Sequence, residues 1–309
     1  MNDKKHNRAI ATLIGFGLSS VVWLACGSQL SEGYRVVRNI IVDAASGTPV
    51  NVTTGGELRV LGEDFLQEVM EGKVSGYSMV HKFGRSDSVP NGSWSHISMT
   101  PFSIAEFRQS ASTMRIAAGN AADTAAGAGA RSVTIQGIDN ALNEYSETLV
   151  TSGGVASAST TGLYWRVHRA WVASAGAYTV ANTGDCVVED TGGGTNYLTI
   201  VAGEGQSQYA GWTVPEGKSA LLLSVHVTVD SNKKANIRCM TRKTFNDVSA
   251  PMPSVRMKLH WDGVEGSFVY KPYGPELNLT ELTDIWFEGF GDGAVSHISV
   301  DFELLCYDN

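Results

Sequence analysis

Toward its C-terminus the sequence repeats with a period of two. From Ser296 to Tyr307, Ile298, Val300, Phe302, Leu304 and Cys306 fall on one side, and Ser299, Asp301, Glu303 and Leu305 on the other. Successive side chains of a strand point to opposite faces, so this pattern belongs to a half-buried β-strand. Ala220 to Val229 repeats it, with Leu221, Leu223, Val225, Val227 and Val229 expected inward. Upstream of that run Pro215-Glu216-Gly217 supplies a turn. Val133 and Ile135 alternate within Arg131 to Ile138, and Trp165, Val167, Arg169 and Trp171 share one face of Leu163 to Ala173. Shorter runs of the same kind recur at 113–117, 186–189, 197–200, 237–242, 255–260, 266–270 and 285–288. Between them lie Gly, Ser, Thr and Ala, and only 17% of residues are charged, against about a quarter in ordinary globular chains. Many short strands with turn-rich connections predict an all-β protein. We expect two tandem β-sandwich or jelly-roll-like domains, at 103–190 and 191–309.

One segment breaks this rhythm. Between Glu57 and Glu71, Leu58, Leu61, Phe65, Leu66 and Val69 recur at three- and four-residue spacing, which gathers them on one face of an amphipathic helix stopped by Gly72. From Gly76 to Pro101, aromatic and turn residues mix, with Tyr77, Phe83 and Trp94 prominent, as in an extended arm laid on a neighbour or over the end of a sandwich. Residues 34–102 are therefore expected to form an attachment region, with helix 57–71 and the arm presenting these eight side chains for docking.

Residues 1–33 form a third region. Lys4, Lys5, His6 and Arg8 precede an apolar run from Ala9 to Gly27. A secretory signal, a short membrane anchor, a helix packed in an assembly and a start-site artefact all fit this pattern. Leu24-Ala25-Cys26-Gly27 ends like a lipoprotein cleavage site, which makes Cys26 a candidate for lipidation, with Trp23 where that motif usually has Leu.

Charge and motif spacing narrow the chemistry. A net charge of −8 creates no field that would attract nucleic acid. Cys26, Cys186, Cys239 and Cys306 form no C-x-x-C pair and read as reduced thiols, a Cys186–Cys239 or Cys239–Cys306 bridge being sterically open. The seven histidines are solitary, His260 having Asp262 two residues on, where Asp262-Gly263 also reads as a hairpin turn. No nucleophile elbow, phosphate loop or dinucleotide fingerprint occurs. Glu144 with Glu147, and Glu189 with Asp190, could in principle do acid–base work on a glycan, but surface solvation is the better account of such spacing. No catalytic, cofactor-binding or metal-binding residue is assigned.

Several runs carry a resemblance. Ser112 to Asp139, Arg166 to Val172, Trp212 to Lys218, Leu282 to Trp286 and Gly76 to Arg85 resemble virion structural proteins of tailed bacteriophages, marine ones especially. The likeness spans about Gly55 to Asn309, and residues 1–33 depart from it. It implies a non-enzymatic virion component, a capsid decoration or a tail or fibre part. Such a subunit would dock through its N-terminal region onto capsid or tail proteins and assemble with copies of itself, a trimer being the first expectation, and it could meet a host surface glycan. The other reading is an exported or lipid-anchored bacterial glycan-binding module. It would stack sugars on strand aromatics among Tyr164, Trp165, Trp171, Tyr209, Trp212, Trp261 and Trp286.

Overall fold

The computed structural model describes residues 64–100, 107–272 and 277–309. The chain divides into a unit ending at Ser75 and a body from Gly76 to Asn309. In the first unit, helix α1 (Asp64–Met70) carries the predicted Phe65, Leu66 and Val69. Leu58, Leu61, the expected helix start and residues 1–33, with Cys26, lie outside the described residues. Gly72 ends α1 as anticipated. At φ +71° it occupies the left-handed region, its N–H donates to Val69 O at 3.0 Å, and Lys73 N–H reaches back to Glu68 O at 2.9 Å. That pair of bonds satisfies carbonyls the helix end would leave open, in a conformation glycine adopts without strain.

The body is nearly all β, as expected. In chain order its strands begin with β1 (Tyr77–Val89), β2 (Ser95–His96), β3 (Met114–Ala118), β4 (Ala130–Asp139), β5 (Glu144–Val150) and β6 (Tyr164–Ala175). There follow β7 (Cys186–Asp190), β8 (Asn196–Ile200), β9 (Gly211–Thr213), β10 (Lys218–Val229) and β11 (Lys234–Arg242). The last are β12 (Arg256–Val264), β13 (Ser267–Tyr270), β14 (Asn278–Leu279), β15 (Asp284–Asp292) and β16 (Ser296–Asp308). They form four antiparallel sheets: β1-β16-β10-β13 with β14 on β10; β12-β11-β15-β2 with β9 on β15; β3-β7-β8; and β5-β4-β6.

This is a four-sheet, propeller-like arrangement in place of two sandwiches in series. Two pairings overturn the serial division. Strands β7 and β8 lie on either side of the expected 190/191 boundary, yet they are hydrogen-bonded neighbours, Val188 opposite Leu198. Strand β1 comes from the expected arm, yet it runs along β16 from Tyr77 opposite Tyr307 to Val89 opposite Ser296. Its inward positions are Lys82, Gly84, Ser86 and Val89. Three of those four are polar or lack a side chain, so the strand shows no hydrophobic period in sequence.

Two hydrophobic cores organise the sheets. Val225, Val227, Ile298, Val300 and Phe302 join Ile237, Cys239, Ile285 and Phe287 in one, the Phe287 and Phe302 rings 5.1 Å apart. Met114, Ile116, Val133, Ile135, Tyr164, Val188 and Ile200 build the other, which also takes Met240 and Trp286. Strand β15 is therefore buried on both faces, with Ile285 and Phe287 in the first core and Trp286 in the second. Each large apolar side chain fully buried there contributes about 1.5–3 kcal/mol.

The face predicted for β16 is the buried one, from Ile298 to Cys306. In β10 the inward set is Ala220, Leu222, Val225, Val227 and Val229, while Leu221 and Leu223 are half-buried. A register shift between Leu222 and Ser224 moves the phase by one residue there, as an extra residue in one strand does. Asp262-Gly263 lies inside β12, and the turn to β13 falls at Glu265-Gly266. His260 and Asp262 do pair, at 3.2 Å. Cys186, Cys239 and Cys306 are buried free thiols. Among the described residues no helix is long and apolar enough to cross a membrane.

Gly84 marks where β1 seats against the body. A methyl group there would fall 2.1 Å from Ala210 N and 2.6 Å from Ile97 O, both backbone atoms. Gly84→Ala should thus cost about 1–3 kcal/mol, the usual range for overpacking. A denaturation midpoint equal to that of the parent protein would show that this approach is not made.

Candidate functional site

The chemistry-bearing side chains of the body converge on β6. Its expected inward face was Trp165, Val167, Arg169 and Trp171. The structure instead buries Tyr164, Arg166, Val167, His168 and Ala170. Arg166 and His168 keep the phase of Tyr164 and Ala170, so two basic side chains face the interior. Gln136 pairs with Arg169 and the next residue, Gly137, with Val167, so His168 is also an extra residue in a bulge, and Val167 is buried beside it.

Arg166 is 5% exposed and Asp284, from β15, is 2% exposed. Arg166 Nε lies 3.2 and 3.3 Å from the two Asp284 oxygens and Nη2 lies 3.0 Å from Oδ2. Nη1 donates to the carbonyls of Arg108 at 3.1 Å and Trp165 at 2.9 Å. The guanidinium also sits between the rings of Phe107 and Phe245, 4.8 and 4.7 Å from their centroids. Thr213 Oγ1 donates to Asp284 Oδ1 at 2.6 Å. A buried ion pair is tolerable only when its remaining hydrogen-bonding groups are satisfied, and here they are. Beside it, Phe107, Arg108, Trp165, Tyr197 and Trp212 edge a small cleft that is partly open to solvent. Its enclosed part has room for about one water.

A second group lies where β1 meets β6. Lys82 is 4% exposed and its Nζ donates to the backbone carbonyl of His168 at 2.5 Å. Burial, with the nearby Arg169 charge, holds this amine well below the ordinary lysine value, against a weaker pull from Glu144. The His168 ring is 3% exposed, packs 6.3 Å from Trp212, and has no hydrogen-bond partner at either nitrogen among the described residues. Burial, then the charges of Lys82, Arg166 and Arg169, hold it well below the usual imidazole range.

A third cluster surrounds His96, which is 1% exposed. Its ring stacks on Trp286 at 5.8 Å and Tyr209 at 6.3 Å, with Phe107 edge-on at 5.5 Å. Glu288 Oε1 is 3.5 Å from His96 Nε2 and accepts Trp286 Nε1 at 2.8 Å. The carboxylate is committed to Arg238, whose Nε and Nη2 lie 2.7 and 2.6 Å from Oε2. Burial, then the Arg238 charge, pushes His96 down to about 3. The guanidinium of Arg238 in turn lies 4.1 Å from the Trp94 ring centroid.

The other docking candidates of the body are on β1. Tyr77 is exposed, 6.1 Å from the Tyr307 ring, and Phe83 is half-buried, 5.9 Å from the His81 ring with Arg169 6.0 Å away. Of the strand aromatics, Tyr164, Tyr209, Trp212 and Trp286 are buried, while Trp165, Trp171 and Trp261 are half-buried. The paired carboxylates serve the scaffold. Glu147 accepts from the N–H groups of Thr161 and Gly162 at 2.8 and 3.0 Å, Glu144 accepts from Gln136 at 2.9 Å, and Glu189 accepts from Arg115 at 2.6 Å. Asp190 accepts from Gly194 N–H at 3.1 Å. Burial pushes the Cys186 thiol up to about 12 and raises Cys239 and Cys306, which keeps these sulfurs protonated rather than nucleophilic. Among the described residues no group of three or more His, Cys, Asp or Glu side chains could hold a metal ion.

Sequence reasoning missed Arg166, Asp284, Lys82 and His96. A signal was present on β6, where Tyr164, Arg166, His168 and Ala170 alternate in one phase, but an apolar-in rule selects the other phase. No family model, curated protein or solved structure matches this chain.

Proposed function

We propose that the chain is a non-enzymatic structural subunit of a bacteriophage particle, a capsid decoration or a tail or fibre part. It would attach through its N-terminal region and present the β body on the surface. The division of the chain at Ser75 supports this reading, because it separates the unit holding α1 from a body with its own two cores. The carboxylates and buried cations of that body are spent on holding strands and loops, which suits a rigid spacer. Copies of itself, as a trimer, and the capsid or tail proteins of the same particle are the proposed partners, with the virion as its location.

Deletion tests the reading, and the structure sets where to cut. Removing residues 1–75 should leave a folded body that no longer joins the particle. Removing residues 1–101 would also strip β1 from β16 and expose its core edge, so that variant should fail to fold. Continued incorporation of the chain lacking residues 1–75 would refute docking through the N-terminal region. Mass spectrometry of purified particles supplies the direct check on the role. Absence from particles, with a lipid-modified chain beginning at Cys26, would replace it with an anchored glycan-binding module.

A further inference from the structure

We propose that the seam between β1 and β6 is a latch that opens when His168 takes up a proton. The inference starts from what surrounds this ring. From β1 comes Lys82, and from β6 itself come Arg166 and Arg169. From β9 comes Trp212, which carries no charge.

The acids nearby are already engaged. Asp284 on β15 is taken by Arg166 and Thr213, and Glu144 on β5 accepts from Gln136. Glu204, on the loop after β8, is held by Arg85 of β1 at 2.7 Å and by Gln208. A proton added to His168 would therefore place a positive charge among basic groups with no uncommitted carboxylate to meet it. Removing that charge from the interior requires parting the strands.

The closing contacts at the seam are few and specific. Lys82 Nζ bonds the carbonyl of His168, and Arg169 Nη2 bonds the carbonyl of His81 at 2.5 Å. Both are single side-chain bonds to backbone, unlike the continuous ladder that joins β1 to β16. Opening would separate the inner face of β1 from β6 and loosen the ladders that hold these two strands, so that their backbone N–H groups exchange. Two buried titratable groups with so few partners reduce stability locally, and such groups are expected where a structure is made to change.

Hydrogen exchange of the full chain, followed by mass spectrometry and corrected for the intrinsic pH dependence of exchange, tests this from about pH 7.5 to about pH 5. Below the ordinary histidine value the opening equilibrium should grow up to about tenfold per pH unit, since the open form binds one more proton. Loss of protection should appear in peptides covering 77–89 and 164–175 while those of β10 and β11 stay protected. His168→Gln should abolish the slope. Should that variant not fold, Lys82→Met carries the test: it removes the bond to the His168 carbonyl and should open more than the parent protein at neutral pH, while the growth of opening with falling pH persists. A slope unchanged in His168→Gln, an opening unchanged in Lys82→Met, or a loss shared equally by β10 and β11 would overturn the latch. So would a loss confined to β2 and β15, which would assign the acid response to His96.

Discussion

Asp284→Ala should cost about 3–5 kcal/mol of folding stability, the range for removing one partner of a buried ion pair. The reason lies in what would be left behind. Arg166 cannot shed its proton, and at 5% exposure it would stay cationic between Phe107 and Phe245, with only the carbonyls of Arg108 and Trp165 as acceptors. Thr213 would lose its acceptor as well. Denaturant unfolding at constant slope reads the loss as a shift in midpoint. Combining Arg166→Met with Asp284→Leu should recover most of it, because a well-packed apolar pair removes both desolvation costs. A single-variant loss below about 1 kcal/mol, the size expected of a surface ion pair, would mean that water reaches the pair.

That cluster also shows how far the sequence could be read. Strand content was legible wherever apolar and polar residues alternated without interruption, as in β16, and the helix stop at Gly72 was legible because one residue type favours that backbone. A bulge hid one register: in β10 an extra residue reverses the phase, so Leu222 rather than Leu221 is buried. A bulge is a relation between two strands and leaves no mark in one strand's composition. In β6 the buried phase holds Arg166 and His168, which an apolar-in rule places outside. The same holds for β1. Its inner face of Lys82, Gly84 and Ser86 makes sense only opposite β6, Ala210 and Ile97, all distant in sequence. The serial boundary at 190/191 cuts through a hairpin, since the Gly192-Gly193-Gly194 segment lies in the turn joining β7 to β8, a pairing between strands that neither strand's own pattern records.

Acid should destabilise this fold through His96, by about 4–5 kcal/mol at pH 3 if the full shift is realised. The sign follows from which state holds the proton. In the unfolded chain the imidazole titrates near 6.5, whereas in the fold burial and Arg238 push it down to about 3. Between these values the unfolded state binds the extra proton, so stability falls as the pH drops from 6.5 and levels off near 3. Above 6.5 the group contributes no pH dependence. Glu288 offers no rescue at 3.5 Å, because its charge is held by Arg238 at 2.6 Å. His96→Phe keeps a ring to stack on Trp286 and Tyr209 while removing the titration. Unfolding curves collected from neutral pH to about pH 4.5 should show the variant losing up to about 1.4 kcal/mol less per pH unit than the parent protein. His168 adds its own acid dependence to both proteins, so their difference isolates His96. Parallel pH profiles would mean that His96 takes up its proton inside the fold, and that Trp286, Tyr209 and Phe107 enclose a cation.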